Sequence, residues 1–200
     1  MESKKFDTDN IKKLLGEKRQ KELPAVETLE KFIKDKAFKG TFVDFGCGPG
    51  YFTFAAEKFF NTVIGVDVQV EMINYALKHK PEGSTAKFML SHEFSTALPD
   101  ASADVIFVAN VMHEVNDTKK IKKELKRLLK EDGEIWIIEW QKKDMAEGPP
   151  FDIRLSFDDL RDIITDEELS FIEKIDLGEK FYGVRIHKNE ELFMRYYKDL

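Results

Sequence analysis

Val43-Asp44-Phe45-Gly46-Cys47-Gly48-Pro49-Gly50, with Val63-Ile64-Gly65-Val66-Asp67 a short distance beyond, is the stretch from which the rest of the chain can be read. β-formers from Thr41 to Phe45 run into three alternate glycines, and Tyr51 to Phe60 then spaces its apolar residues as a helix does. The segment therefore reads as strand, tight loop, helix. Glycines allow a sharp turn and leave no Cβ between backbone and ligand. The helix start beyond adds unpaired N–H groups and a positive dipole end, which suit a carboxylate or a phosphate alike.

Two details separate those ligands. A dinucleotide loop has Gly-x-Gly-x-x-Gly, with its third glycine where this chain has Tyr51; here the spacing is Gly-x-Gly-x-Gly, and acidic Asp44 stands two residues upstream. A carboxylate beside the loop repels a pyrophosphate and suits an ammonium group, held directly or through water. Asp67, at the end of the second hydrophobic strand, is placed to accept hydrogen bonds from both hydroxyls of a ribose. An amino-acid end joined to a ribose describes S-adenosylmethionine.

These residues resemble the first two motifs of the class I S-adenosylmethionine-dependent methyltransferases. The resemblance continues through Leu98-Pro99-Asp100-Ala101-Ser102-Ala103-Asp104-Val105-Ile106-Phe107 and Leu128-Leu129-Lys130-Glu131-Asp132-Gly133-Glu134-Ile135, which are similar to that family's entries into strands four and five, and it covers residues 38 to 140. It is nearest to the small-molecule, quinone-biosynthesis-like (type 11) branch. The resemblance implies a doubly wound, Rossmann-like seven-stranded α/β sheet, mostly parallel with a C-terminal antiparallel hairpin and helices on both faces. It also implies cofactor contacts from Asp44, Gly46, Cys47, Gly48, Gly50, Asp67, Val68, Met72, Ser91, His92 and Asn110. Where the family has an aspartate after strand three, this chain has Ser91, whose backbone amide can still reach an adenine ring nitrogen. Cys47, between two glycines, reads as a small loop filler and not as a nucleophile.

Two hundred residues predict one domain: cap helices over 1–37, the core over 38–188 and a tail helix over 189–200. Seventeen phenylalanines predict an aromatic-rich core. No apolar run approaches the roughly 20 residues of a membrane span. The N-terminus has no hydrophobic signal core, so a cytoplasmic protein is expected. A single cysteine leaves no internal disulfide and no thiolate metal cage, and no metal is expected. A net charge of −6 argues against nucleic acid as partner.

Along the chain, residues 8 to 22 read as an amphipathic helix with Ile11, Leu14 and Leu15 on one side and Lys12, Lys13, Lys18, Arg19 and Lys21 on a solvated side. Ala25 to Phe38 is a second helix; the pair either caps the cofactor or simply packs on the sheet. Asn116 or Asp117 opens a helix running to Glu131 and ended by Gly133, before a strand from Glu134 to Trp140. Ser156 and Asp159 suggest a helix cap. Leu169–Leu177 and Phe181–His187 form a hairpin with His187 at its edge. Glu190 to Leu200 is a helix that docks on its own domain or on a second subunit, as in a homodimer.

Chemistry belongs beyond the carboxyl ends of strands one and four, where the connection direction reverses. Asn110 and His113 face the cofactor's methyl end or the acceptor there. His113 can be structural, position the acceptor, or serve as general base, for which an ordinary value near 6.5 is suitable. Trp140 and the Gly148-Pro149-Pro150-Phe151 turn are candidates for the acceptor wall. Three functions follow: methyl transfer to a small molecule, a catalytically silent S-adenosylmethionine-binding partner subunit, and a nicotinamide-dependent oxidoreductase.

Overall fold

The protein is described by a computed structural model over residues 11–34 and 39–188. The strands are β1 (Thr41–Phe45), β2 (Thr62–Asp67), β3 (Lys87–Leu90), β4 (Ala103–Ala109), β5 (Leu129–Trp140), β6 (Ser170–Asp176) and β7 (Phe181–His187). They form one sheet in the order β3-β2-β1-β4-β5-β7-β6. The first five are parallel, while β7 runs antiparallel between β5 and β6. The expected topology is therefore present, with the reversal of winding between β1 and β4.

Helices α1 (Ile11–Leu15), α2 (Glu17–Glu22) and α3 (Ala25–Ile33) precede β1; α4 (Tyr51–Ala56), α5 (Val70–Lys78), α6 (Thr118–Leu128) and α7 (Phe157–Ile164) follow. The single helix expected over 8–22 is two, because Gly16 is extended (φ −69°, ψ 162°) between α1 and α2. Glycine has no helical preference to resist that break. The helix expected over Glu190–Leu200 lies outside the described residues.

The two faces of the sheet are filled differently. Phe32 from α3 and Phe52 from α4 meet Phe42, Phe107, Trp136 and Phe181 of the strands on one face. Val43, Ile106, Ile135, Ile137 and Val184 meet Ile121, Leu125, Leu160 and Ile164 of α6 and α7 on the other. On the aromatic face, Phe42 stacks on Phe107 at 5.5 Å and Phe32 on Trp136 at 5.4 Å. Such pairs are worth about 0.5–1.5 kcal/mol each beyond area burial.

Three boundaries differ from those read in the sequence. Helix α6 is capped by the Asp117 side chain as expected but ends at Leu128, not Glu131. Leu129 pairs with Ala103 of β4, so sheet pairing takes the chain before Gly133 is reached. Gly133 lies inside β5 where the ladder slips; a Cβ there would stand 2.6 Å from the Leu129 side chain. His187 is not at an edge, since β7 is interior and every residue of it is buried. Ser156 and Asp159 do form the expected reciprocal cap of α7.

Burying β7 places Arg185 inside the sheet layer, 2% exposed, with Nε and Nη2 donating to Glu134 at 2.7–2.9 Å. The Trp136 indole N–H donates to the same carboxylate at 2.7 Å. Removing one member of such a pair strands a buried charge, whereas replacing both is nearly neutral. Glu134→Ala is expected to cost roughly 3–5 kcal/mol in urea unfolding, and a Glu134→Leu/Arg185→Met double variant is expected to recover most of that loss.

Candidate active site

The cleft at the carboxyl ends of β1 and β4 is assembled by the glycine loop. Gly46 (φ 77°) turns the chain out of β1, and a Cβ on it would stand 2.4 Å from Val111, so the β1 and β4 loops touch at a point only glycine allows. The amides of the glycines and of Cys47 in the loop are bonded inside the protein. Those of Gly46 and Cys47 donate to Val66 O at 2.8 and 3.0 Å, and that of Gly50 donates to Cys47 O at 3.1 Å. The Gly48 amide donates to Asp67 Oδ2 at 2.8 Å, which ties the second strand's terminal carboxylate to the loop.

Asp44 and Asp67 stand on neighbouring strands and are 2% and 8% exposed. Asp44 accepts from the Thr53 hydroxyl at 2.6 Å, and Asp67 Oδ1 accepts from the Gln69 amide at 2.8 Å. Among the described residues neither has a cationic partner. Burial, with the Asp67 charge adding to it against the Thr53 bonds, pushes Asp44 up to about 7. Burial also raises Asp67, opposed by the backbone amides of Gln69, Gly48 and Val68. Cys47 is buried beside them, and burial with both carboxylates lifts its thiol well above its ordinary range, so it is no nucleophile. Over the loop runs α1, with Leu14 Cδ1 3.8 Å from where a Gly48 Cβ would lie.

Beyond β2, Val68 is half-buried and Met72 only 2% exposed within α5. The Ser91 amide donates to Asp67 O at 2.8 Å and is not free for a ring nitrogen. His92 is exposed and bridges Ser95.

At the end of β4, Asn110 adopts a left-handed φ of 57°, and its Oδ1 is buried without a hydrogen-bond partner. Asparagine tolerates that conformation better than most residues. A 3-10 turn, Met112–Glu114, follows with Met112 as its buried anchor. It points His113 Nδ1 at Glu139 Oε2, 2.7 Å away, with the His113 amide 3.3 Å from Oε1. Glu139, fully buried near the end of β5, was not singled out from the sequence, although a lone charge inside an apolar strand is itself a signal. Burial lowers His113, but the bond and charge of Glu139, aided by Glu114, outweigh it and leave the imidazole above its ordinary value. Glu114 lies 3.8 Å from His113 Nε2, and burial moves it up to about 7 against the pull of His113.

The acceptor-wall candidates also converge. Trp140 packs on Phe181 at 4.4 Å, and the Gly148 Cα bears on its ring so closely that a Cβ would stand 2.8 Å away. Arg154 clamps this loop by donating to Lys143 O, Glu147 O and Pro149 O, each at 2.7 Å; Pro150 is exposed. Glu147 pairs with Lys18 of α2 and with Lys180, tying the loop to the N-terminal helices.

The sequence matches the methyltransferase-domain family over residues 43–137. It is 27% identical over 110 residues to the 2-methyl-6-phytyl-1,4-hydroquinone methyltransferase of Synechocystis sp., covering 54% of this chain and 35% of that protein. It is 29% identical over 99 residues to the uncharacterized methyltransferase YcgJ of Bacillus subtilis, covering 48% and 39% of the two chains. The chain thus matches well under half the length of these curated relatives. A S-adenosylmethionine-dependent methyltransferase from Aquifex aeolicus superposes with a TM-score of 0.84 at 29% identity, over 92% of this chain and all of that one.

The raised carboxylates set a direction for stability. Between their ordinary range near 4 and about 7, Asp44 and Glu114 hold protons in the folded chain that the unfolded chain has lost, so stability falls as pH rises through that window. His113, also raised, loses its contribution as pH rises above its ordinary value. Asp44→Asn keeps an acceptor for Thr53 and is expected to remove up to about 4 kcal/mol of the decline in denaturant stability between pH 4 and 8.

Proposed function

Because the chain matches the methyltransferase-domain family over residues 43–137 and superposes on an S-adenosylmethionine-dependent methyltransferase, we propose that it is a class I S-adenosylmethionine-dependent methyltransferase that methylates a small-molecule acceptor by in-line displacement. S-adenosylmethionine supplies a methyl group already activated on a sulfonium and leaves as S-adenosylhomocysteine. The observation that carries the reading is the pair of buried carboxylates beside the glycine loop, neither with a cationic partner among the described residues. Asp44 takes the ligand's ammonium, which supplies the cation the site lacks, and the orphaned Asn110 Oδ1 is a second acceptor for the same amino-acid end. Asp67 accepts from the Gly48 and Gln69 amides at 2.8 Å, with Val68 acting on it as well, and keeps its remaining lone-pair directions for ribose hydroxyls. A pyrophosphate fits worse, since it would meet Asp44 and a loop whose amides are already bonded.

The chain's remaining task is to hold the acceptor atom in line with the methyl and exclude water. His113, Trp140, Pro149 and Pro150 border the place where the acceptor stands. Glu139 fixes the Nδ1–H tautomer of His113 and stabilises its imidazolium, leaving Nε2 to take a proton from a phenol or hydroquinone. A thiolate needs no such base. The hydroquinone substrate in the Synechocystis relative's name supports an acceptor of that class.

Calorimetric titration with S-adenosylhomocysteine tests the donor site: micromolar binding is expected, and Asp67→Ala is expected to weaken it about ten- to a hundredfold, or roughly 1.5–3 kcal/mol. Absence of binding in the folded wild-type chain would sink the reading. For His113, Glu139→Gln is expected to lower the imidazole pKa measured by NMR and to move the acid limb of the methyl-transfer profile downward by the same amount. His113→Gln is expected to slow transfer to a hydroquinone by about 10²–10⁴ while sparing a thiol acceptor. Equal loss with both acceptors would make His113 structural.

A further inference from the structure

Among the described residues, every arginine but one is saturated with acceptors. Arg127 bonds Glu124, Asp100 and the carbonyl of Leu98; Arg154 bonds three carbonyls; Arg161 bonds Asp158 and Asp162; Arg185 bonds Glu134 and Glu173. Arg19 of α2 donates no side-chain hydrogen bond among the described residues, and its Nε is buried without a partner. Glu22, whose charge acts on Arg19 against its burial, gives its hydrogen bond to Lys180 at 2.6 Å. The Tyr51 hydroxyl beneath it donates to Leu23 O at 3.0 Å.

What surrounds the guanidinium is aromatic. Its carbon stands 5.9, 5.8 and 5.4 Å from the ring centres of Tyr51, Phe52 and Phe181. Burial against those rings lowers Arg19 to about 10, which leaves it charged at any working pH. Rings attract a cation by their faces but do not replace the hydrogen bonds it gave up on leaving water. The site is a positive charge with donors left over.

Its position identifies what the donors are for. Phe52 packs on Phe107 of β4 at 4.8 Å, and Phe181 opens β7, directly across from Trp140 of β5. Arg19 therefore lies between the first turn of α4, which directly follows Gly50 of the glycine loop, and Phe181 at the start of β7, whose partner across the ladder is the acceptor-wall candidate Trp140. Asp44 and Asp67 stand on β1 and β2.

We propose that Arg19 binds an anionic group, a carboxylate or its equivalent, on the methyl acceptor, and so selects acceptors that carry one beside an aromatic or apolar body. The inference rests on the methyl-donor reading above and names the substrate class for that site. The planar fork of the guanidinium meets both oxygens of a carboxylate, and the three rings give the acceptor's body a surface to lie against.

The test uses the full chain saturated with S-adenosylhomocysteine and a matched pair of probes, benzoate and benzamide, with binding followed by ligand-observed NMR. Benzoate is expected to bind at least tenfold more tightly than benzamide. Arg19→Gln is expected to abolish that preference while leaving the S-adenosylhomocysteine affinity within threefold, with unchanged circular dichroism and melting temperature. Arg19→Lys, which keeps charge without the fork, is expected to retain part of the preference and serves as the second variant if Arg19→Gln fails to fold. Equal binding of the two probes to the wild-type chain overturns the proposal, as does a preference that survives Arg19→Gln. A tenfold loss of S-adenosylhomocysteine affinity with benzoate binding unchanged also overturns it and assigns Arg19 to the donor's own carboxylate. If S-adenosylhomocysteine does not bind the wild-type chain, the donor reading fails by itself, and the benzoate and benzamide comparison still decides the anion site.

Discussion

Two like charges, Asp44 and Asp67, are held on adjacent strands in a place that water barely reaches, and among the described residues neither has a cationic partner. Holding them there takes most of what surrounds the cleft. Thr53 of α4 satisfies one, the amides of Gly48 and Gln69 satisfy the other, and Asp44 relieves the repulsion by keeping its proton to about 7. Glycines at the loop let the backbone fold back far enough for Gly48 to reach Asp67 and for Gly46 to lie against Val111. An arrangement that stores unneutralised charge in a low-dielectric cleft is poor for stability and suited to binding a cation.

The sheet makes that arrangement affordable by separating the tasks of its two faces. The aromatic face, from Phe32 to Trp136, carries rigid packing under the glycine loop and continues to the cleft as Phe52, Phe181 and Trp140. The aliphatic face carries α6 and α7 and delivers Glu139 to His113 from below. Successive residues of β5 alternate between the two: Ile138 and Trp140 turn to the aromatic side, while Glu139 between them turns to the histidine. One strand thus supplies both the proposed acceptor wall, Trp140, and the carboxylate bonded to His113 within two residues.

How far this was legible in the sequence depended on the range over which each residue's environment is decided. The glycine spacing, Asp67 at a strand end and the Ser156–Asp159 cap are local patterns, and each stands where it was read. The end of α6 was misplaced because helical spacing and Gly133 are local, whereas the pairing of Leu129 with Ala103 is not. That the loop amides are consumed by Val66 and Asp67 depends on a parallel strand nineteen or twenty positions away, which no loop motif reveals. Glu139 and Arg19 were passed over for another reason. Both stood in plain view, Glu139 inside an apolar run and Arg19 in a lysine-rich stretch beyond Gly16, but charge was read as exposure.

The two passed-over residues complete the electrostatics of the cleft. Carboxylates stand on β1 and β2, and a guanidinium with an unpartnered Nε stands between the first turn of α4 and the start of β7, with His113 and Glu139 at the ends of β4 and β5. A ligand set that neutralises both sides must present positive charge toward Asp44 and negative charge toward Arg19. One such molecule bridging the whole cleft would leave no room for transfer; two molecules meeting near His113 satisfy both sides and bring their reactive ends together. On this argument the charges do more than hold each ligand, because a neutral acceptor would leave the buried Arg19 Nε unpaired and be penalised for it. Specificity then comes from the cost of an unmet cation, as the donor end comes from the cost of two unmet carboxylates.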